Sequence, residues 1–197
     1  MNRGIAKIVD AMTILAGGAF LALAFLTVVE VLMRKGFNTS LMGVDEIGGY
    51  VYAIGSAVGF IAALTANSHV RVDLVLSRLS ALPRLILHVF SYLTLGAFAA
   101  LLTWRAGAQV LRSWELGAMA PTPLRTPLVI PQGIWAGLLA VFTLLILSKL
   151  VVAIRLIFAS PRGIDKAAEH LDISPVSEEA RAELASLRAR STQGSAK

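Results

Sequence analysis

Long uninterrupted apolar runs, rather than an alternation of apolar and polar positions, dominate this chain. Four stand out, at roughly 11–29, 47–66, 85–104 and 133–154, each close to the ~20 residues that cover ~30 Å of hydrocarbon at ~1.5 Å per residue. With their flanks they define spans of about 11–33, 47–67, 84–106 and 132–155. In hydrocarbon every backbone N–H and C=O must be paired within its own segment or within a closed barrel, and these runs lack the two-residue alternation of barrel strands. The pattern predicts an all-α integral membrane protein. Its four transmembrane helices lie in a membrane domain over 1–160, and a polar cytoplasmic tail covers 161–197.

The connections carry patterns of their own. Val72, Val75, Leu76 and Leu79 recur at helical spacing between Arg71, Ser77, Arg78 and Ser80, which predicts a short amphipathic helix along the cytoplasmic interface. Pro83 ends it and opens the third span. Arg105, Gln109 and Arg112 follow at i, i+4 and i+7, so the third helix is expected to run past the bilayer to about Glu115 with a polar stripe emerging on the outer side. Pro121, Pro123, Pro127 and Pro131 then forbid a continuous helix and predict a stiff irregular loop. In the tail, Ser174-Pro175 starts a capped helix over 176–190 with Ala180, Leu184 and Leu187 on one stripe. The last residues, 191–197, offer nothing to bury and are expected to be disordered.

Composition agrees with a lipid solvent: of 197 residues 56% are hydrophobic and 15% charged, and the mean hydropathy is +0.74. A water-soluble domain of this composition would aggregate. With both termini inside, the inner segments hold nine Lys and Arg (Arg3, Lys7, Arg71, Arg78, Arg84, Lys149, Arg155, Arg162, Lys166) against five outside (Arg34, Lys35, Arg105, Arg112, Arg125), which favours N-in, C-in. The net charge of +6 and pI near 10.2 reflect that bias and attraction to anionic membrane lipids. No basic patch with interleaved aromatics appears, so no nucleic-acid partner is expected. The absence of cysteine removes disulfides, thiolate metal sites and cysteine nucleophiles. The first apolar run is long and lacks a small-residue cleavage site, so it is expected to be a retained span. No internal repeat of the transporter kind is visible.

The candidate functional residues cluster at span ends. Glu30 and Arg34 stand one turn apart in the order that suits an ion pair. A lone carboxylate well inside a bilayer costs ~2.5–3.5 kcal/mol, so Glu30 should face Arg34, a neighbouring helix or a partner. Asp45 and Glu46 open the second span, where they either stabilise a helix N-terminus through its dipole or form a salt bridge to a second subunit. Being adjacent, they point to different sides of a helix, which disfavours a catalytic dyad or metal pair. Gly55 and Gly59, continued by Ala62 or Ala63 and Ala66, form a small-residue stripe that admits another helix closely, in this chain or another. His69, Arg71 and Asp73 share no helical face and make a poor metal set. They anchor the inner turn, with Asp73 capping the interfacial helix and Arg71 meeting phosphate or a partner carboxylate. His88 reads as an interfacial histidine, and Trp104, Trp114 and Trp135 as an aromatic belt on the outer face.

The order Arg34, Phe37-Asn38, Asp45-Glu46, Gly59 and Asn67-Ser-His-Val-Arg-Val-Asp-Leu74, followed by Thr126-Pro-Leu-Val-Ile-Pro131 and Trp135, resembles the small permease subunit of TRAP transporters, the DctQ type, over roughly residues 10–155. The resemblance implies a tripartite uptake system of the bacterial inner membrane. In such a system a periplasmic substrate-binding protein captures an organic acid and a large permease subunit carries it inward by sodium symport. The small subunit braces the large one as a scaffold, and its outer face helps to dock the binding protein. By matching position, Arg34, Asp45 and Glu46 work near the outer surface, while His69, Arg71 and Asp73 fix the inner turn. Sodium is expected on the large subunit, and no cofactor and no enzymatic activity on this one. The polar tail after Arg162 departs from the family pattern.

Two rivals of other classes are weaker. A small proton-coupled exporter needs a membrane-embedded carboxylate, and Glu30, near a helix end and beside Arg34, is the sole candidate. A haem-bearing respiratory anchor needs histidines facing one another inside the bundle, whereas the three here lie in the tail or near the inner interface.

Overall fold

In the computed structural model the described residues are 3–65, 81–159 and 167. They form four helices: α1 (Arg3–Gly36), α2 (Val44–Thr65), α3 (Ala81–Glu115) and α4 (Val129–Ala159). All four are long and apolar enough to cross a membrane, and no strand is present among the described residues. Each expected span overlaps one of these helices, the second reaching past the end of α2 at Thr65 to residues outside those described, and α3 does continue to Glu115. The predicted interfacial helix and tail helix lie outside the described residues, as do His69, Arg71 and Asp73.

The chain divides into two compact units, Met1–Thr65 with Thr94–Leu147, and Ala66–Leu93 with Ser148–Lys197. In the first, α1 lies against α2. Gly55 makes this approach possible: the Phe20 ring occupies the space a side chain would take, 2.5 Å from where a Cβ would stand. The same ring packs on Tyr52 with centroids 5.5 Å apart. One turn or so away, Leu23 covers Gly48. Elsewhere α1 is mostly exposed apolar surface, including Ile14, Leu15, Leu21, Phe25 and Leu32, as a lipid-facing helix requires.

Small residues also govern the pairing of α3 with α4. Gly96, Ala99 and Ala106 are buried and Thr103 is half-buried, all at spacings of three or four, so α4 comes close enough for Ile146 to sit 3.2 Å from the Cβ position of Gly96. This is the small-residue packing that brings helices together without a hydrophobic driving force. At its centre the hydroxyls of Thr103 and Thr143 meet at 2.9 Å. Each also reaches its own helix, Thr103 at the Ala99 carbonyl and Thr143 at that of Leu139, so neither is orphaned in hydrocarbon. Phe142 meets Phe60 of α2 at 5.7 Å between centroids, which joins the two helix pairs. A double-mutant cycle with Thr103→Val and Thr143→Val should return a coupling of about 0.6 kcal/mol, the value typical of interhelical hydroxyl bonds in lipid. A coupling of zero in detergent unfolding would remove the bond.

In the second unit α3 contributes buried Leu85, His88 and Tyr92, and α4 contributes Leu150 and Ala153. His88 is only 2% exposed. It is therefore a buried side chain within this unit.

Candidate functional site

The two buried carboxylates of the first unit, Glu30 and Glu46, lie at one end, where the α1–α2 loop, the N-terminus of α2 and the α3–α4 loop come together. Glu30, on the last turns of α1, is 6% exposed. Its carboxylate accepts a hydrogen bond from Arg34 at 2.7 Å, from the Ser40 hydroxyl at 2.6 Å and from the Leu41 backbone N–H at 2.7 Å. The ion pair with Arg34 is the expected one. The two loop donors are not visible in helical spacing, because they lie ten and eleven residues on, across a chain reversal. Asn38 makes that reversal possible with a left-handed φ of 55°, a conformation asparagine tolerates better than most side chains. The N–H groups of Phe37 and Thr39 close the end of α1 on the Met33 carbonyl.

Glu46 repeats the arrangement for the other loop. It is 8% exposed and accepts hydrogen bonds from the Tyr50 hydroxyl at 2.7 Å and from the hydroxyl of Thr122. Thr126 adds contacts from its side chain and backbone. Asp45 beside it is exposed, so the acidic pair does point to different sides, one carboxylate held within the chain and the other outward. Both stand in the first turn of α2, where the helix dipole favours negative charge.

The segment that Glu46 holds is more ordered than a run of prolines suggests. α3 ends with Gly117 at φ 55°, and the bonds Gly117 N–H to Trp114 O and Ala118 N–H to Ser113 O complete a Schellman motif. From there the chain makes a small hairpin. Ala120 N–H bonds Thr126 O, Leu128 N–H bonds Ala118 O, and Arg125 N–H bonds Thr122 O across the turn, with Met119 and Pro127 forming an isolated bridge. The expectation of an irregular loop is corrected here: the prolines sit outside the donor positions, so the hairpin bonds survive them. Leu124 at the tip packs over Gly43, and Ser113 donates to the Gln132 side-chain oxygen at 2.6 Å, tying the end of α3 to the first turn of α4. Beside this joint an apolar cavity of about 220 Å³ is lined by residues including Trp114, Met119 and Val129.

Packing refines other expectations. Gly55 receives Phe20 of this chain, whereas a side chain at Gly59 would meet nothing within 4 Å. Arg105 and Arg112 are exposed, but the stripe does not begin beyond the bundle. Arg105 lies between the Thr103–Thr143 and Ser113–Gln132 contacts, alongside α4. Trp104, next to Thr103, is likewise alongside the helices rather than with Trp114 at the loop end. Sequence reading assigns each helix its own membrane window and has no view of how far antiparallel neighbours are staggered. No group of three or more His, Asp or Glu suited to a metal ion occurs among the described residues.

Four lipid-length helices, with the buried carboxylates of one unit engaged in fastening its own loops, define a multi-pass membrane protein. The family model for Tripartite ATP-independent periplasmic transporters, DctQ component, matches residues 23–156, and the chain belongs to that family. The family is the small component of these transporters and works with a large permease and a periplasmic binding protein. Neither a curated protein nor a solved structure matches the chain.

Proposed function

We infer that this chain is the small subunit of a sodium-coupled, binding-protein-dependent organic acid transporter and acts in it as a brace for the large permease subunit rather than as a carrier or an enzyme. The observation that carries this reading is the state of Glu30. Its carboxylate, the one acidic group that an exporter of this size would use, is engaged by Arg34, Ser40 and Leu41 and holds a loop in place. A carrier also needs convergent polar groups around an enclosed space, and the cavity beside Trp114 has no titratable lining residue. Sodium and substrate belong on the large subunit, and this chain takes no cofactor. Placed N-in and C-in in the bacterial inner membrane, the loop end faces the periplasm. Exposed Arg34, Lys35, Asp45 and Arg125 then rim the surface where a loaded binding protein docks.

Deleting this chain while retaining the large subunit and the binding protein should abolish uptake in whole cells, and a co-purification should recover the large subunit with it. Undiminished uptake in the deletion strain would refute the brace. The exporter reading makes the opposite forecast: proton-coupled efflux by the chain alone in liposomes, lost on Glu30→Gln.

A further inference from the structure

Within the first unit, contacts between helices set the level of the α3 residues from Thr103 to Ser113 against α4. Ser113 bonds Gln132 in the first turn of α4; further along, Thr103 meets Thr143, next to the Phe142 that packs on Phe60 of α2. Arg105 stands roughly 12 Å inward from Ser113 along the helix axis at ~1.5 Å per residue. α2 is roughly 33 Å long by the same rise, close to the ~30 Å of a hydrocarbon core. It carries no charge between Glu46 at the loop end and Thr65. α4 is likewise uncharged from Val129 to Ser148. A hydrocarbon slab set by these two helices therefore puts Arg105 near its middle, with Gln109 and Arg112 on the same face nearer the loop end.

All three side chains are exposed, on the side of α3 away from the Gly96, Ala99 and Ala106 stripe. Among the described residues neither arginine has an ion-pair partner. An arginine facing lipid at that depth is disfavoured about a hundredfold in partitioning, and a phosphate headgroup lies about half a bilayer, ~15 Å, away. A second copy of this chain on the same face would set like charges against one another.

We propose that the Arg105, Gln109 and Arg112 face of α3 is the contact with the large membrane subunit, which presents a carboxylate to Arg105 within the membrane. The assignment rests on the functional reading above. It identifies the occupant by charge and depth: a membrane-spanning protein, acidic at the level of Arg105.

The test uses the two membrane subunits expressed together. Arg105→Gln should lower recovery of the large subunit on the tagged small one about tenfold, and Arg105→Glu further, with the melting temperature of the small subunit alone unchanged. As the chain has no cysteine, a benzophenone placed at Gln109→Cys reads the neighbour without disturbing Arg105, and should cross-link to the large subunit. Adducts only to lipid, or to a second copy of the chain, together with full recovery by both Arg105 variants, would overturn the α3 assignment and leave the functional reading standing. A wild-type chain that recovers no large subunit would overturn both.

Discussion

Gly43→Val should lower the melting temperature of the purified chain by roughly 10 °C, from a loss on the order of 3 kcal/mol at ~2–4 °C per kcal/mol for a chain of this size. Two separate costs meet at this residue. Gly43 has φ 103°, where a β-branched side chain is strained by about 1–3 kcal/mol. Its Cβ would also stand 2.5 Å from Leu124 Cδ1, and displacing a packed side chain costs about 1–3 kcal/mol more. The two are separable. Leu124→Ala in the Gly43→Val background should restore the steric part alone, so about half the loss returns. If Gly43→Val melted like the wild type, the hairpin tip would not lie over α2 as described.

Gly55→Leu is expected to be the next most damaging change, because the Phe20 ring fills the place of its side chain. Overfilling a packed contact costs about 1–3 kcal/mol. Here it falls on a helix with little else to hold it, since α1 buries only Val9, Leu23 and Glu30 among its described side chains. Phe20→Ala should suppress the defect by making room. Gly59→Leu is the matched control: nothing stands within 4 Å of its Cβ position, so the isolated chain should change by no more than about 0.5 kcal/mol. Equal losses for Gly55→Leu and Gly59→Leu, measured by unfolding in detergent, would mean that α1 does not cross α2 at Phe20.

The four helices were legible because hydrocarbon tolerates so few alternatives: a run of about 20 apolar residues without alternation has one backbone solution. Local pairs were legible for a similar reason, Glu30 with Arg34 being set by helical spacing alone. What the sequence conceals is everything that depends on which helix neighbours which. Glu46 and Thr122 are 76 positions apart, and threonine between prolines carries no mark of an acceptor waiting on another helix. Tyr50, one turn after Glu46, is the half of that site that helical spacing makes readable. Gly55 and Gly59 look alike as a motif, yet only the ring of Phe20 distinguishes them. The stripe on α3 that does pack, Gly96, Ala99, Thr103 and Ala106, has the same small-residue spacing and could have been found by the same rule. Arg105 reads as the end of a span from its own helix, and only the stagger against α4 moves it inward.

The two glutamates also differ in when their partners are synthesised. Glu30 finds Ser40 and Leu41 within eleven residues, so its bonds are complete while the second half of the chain has still to leave the ribosome. Glu46 must wait for Thr122, which arrives only after another whole crossing. Biogenesis thus has a built-in chronology: one clasp shuts during insertion of the first two helices, and the other reports that the third helix has arrived.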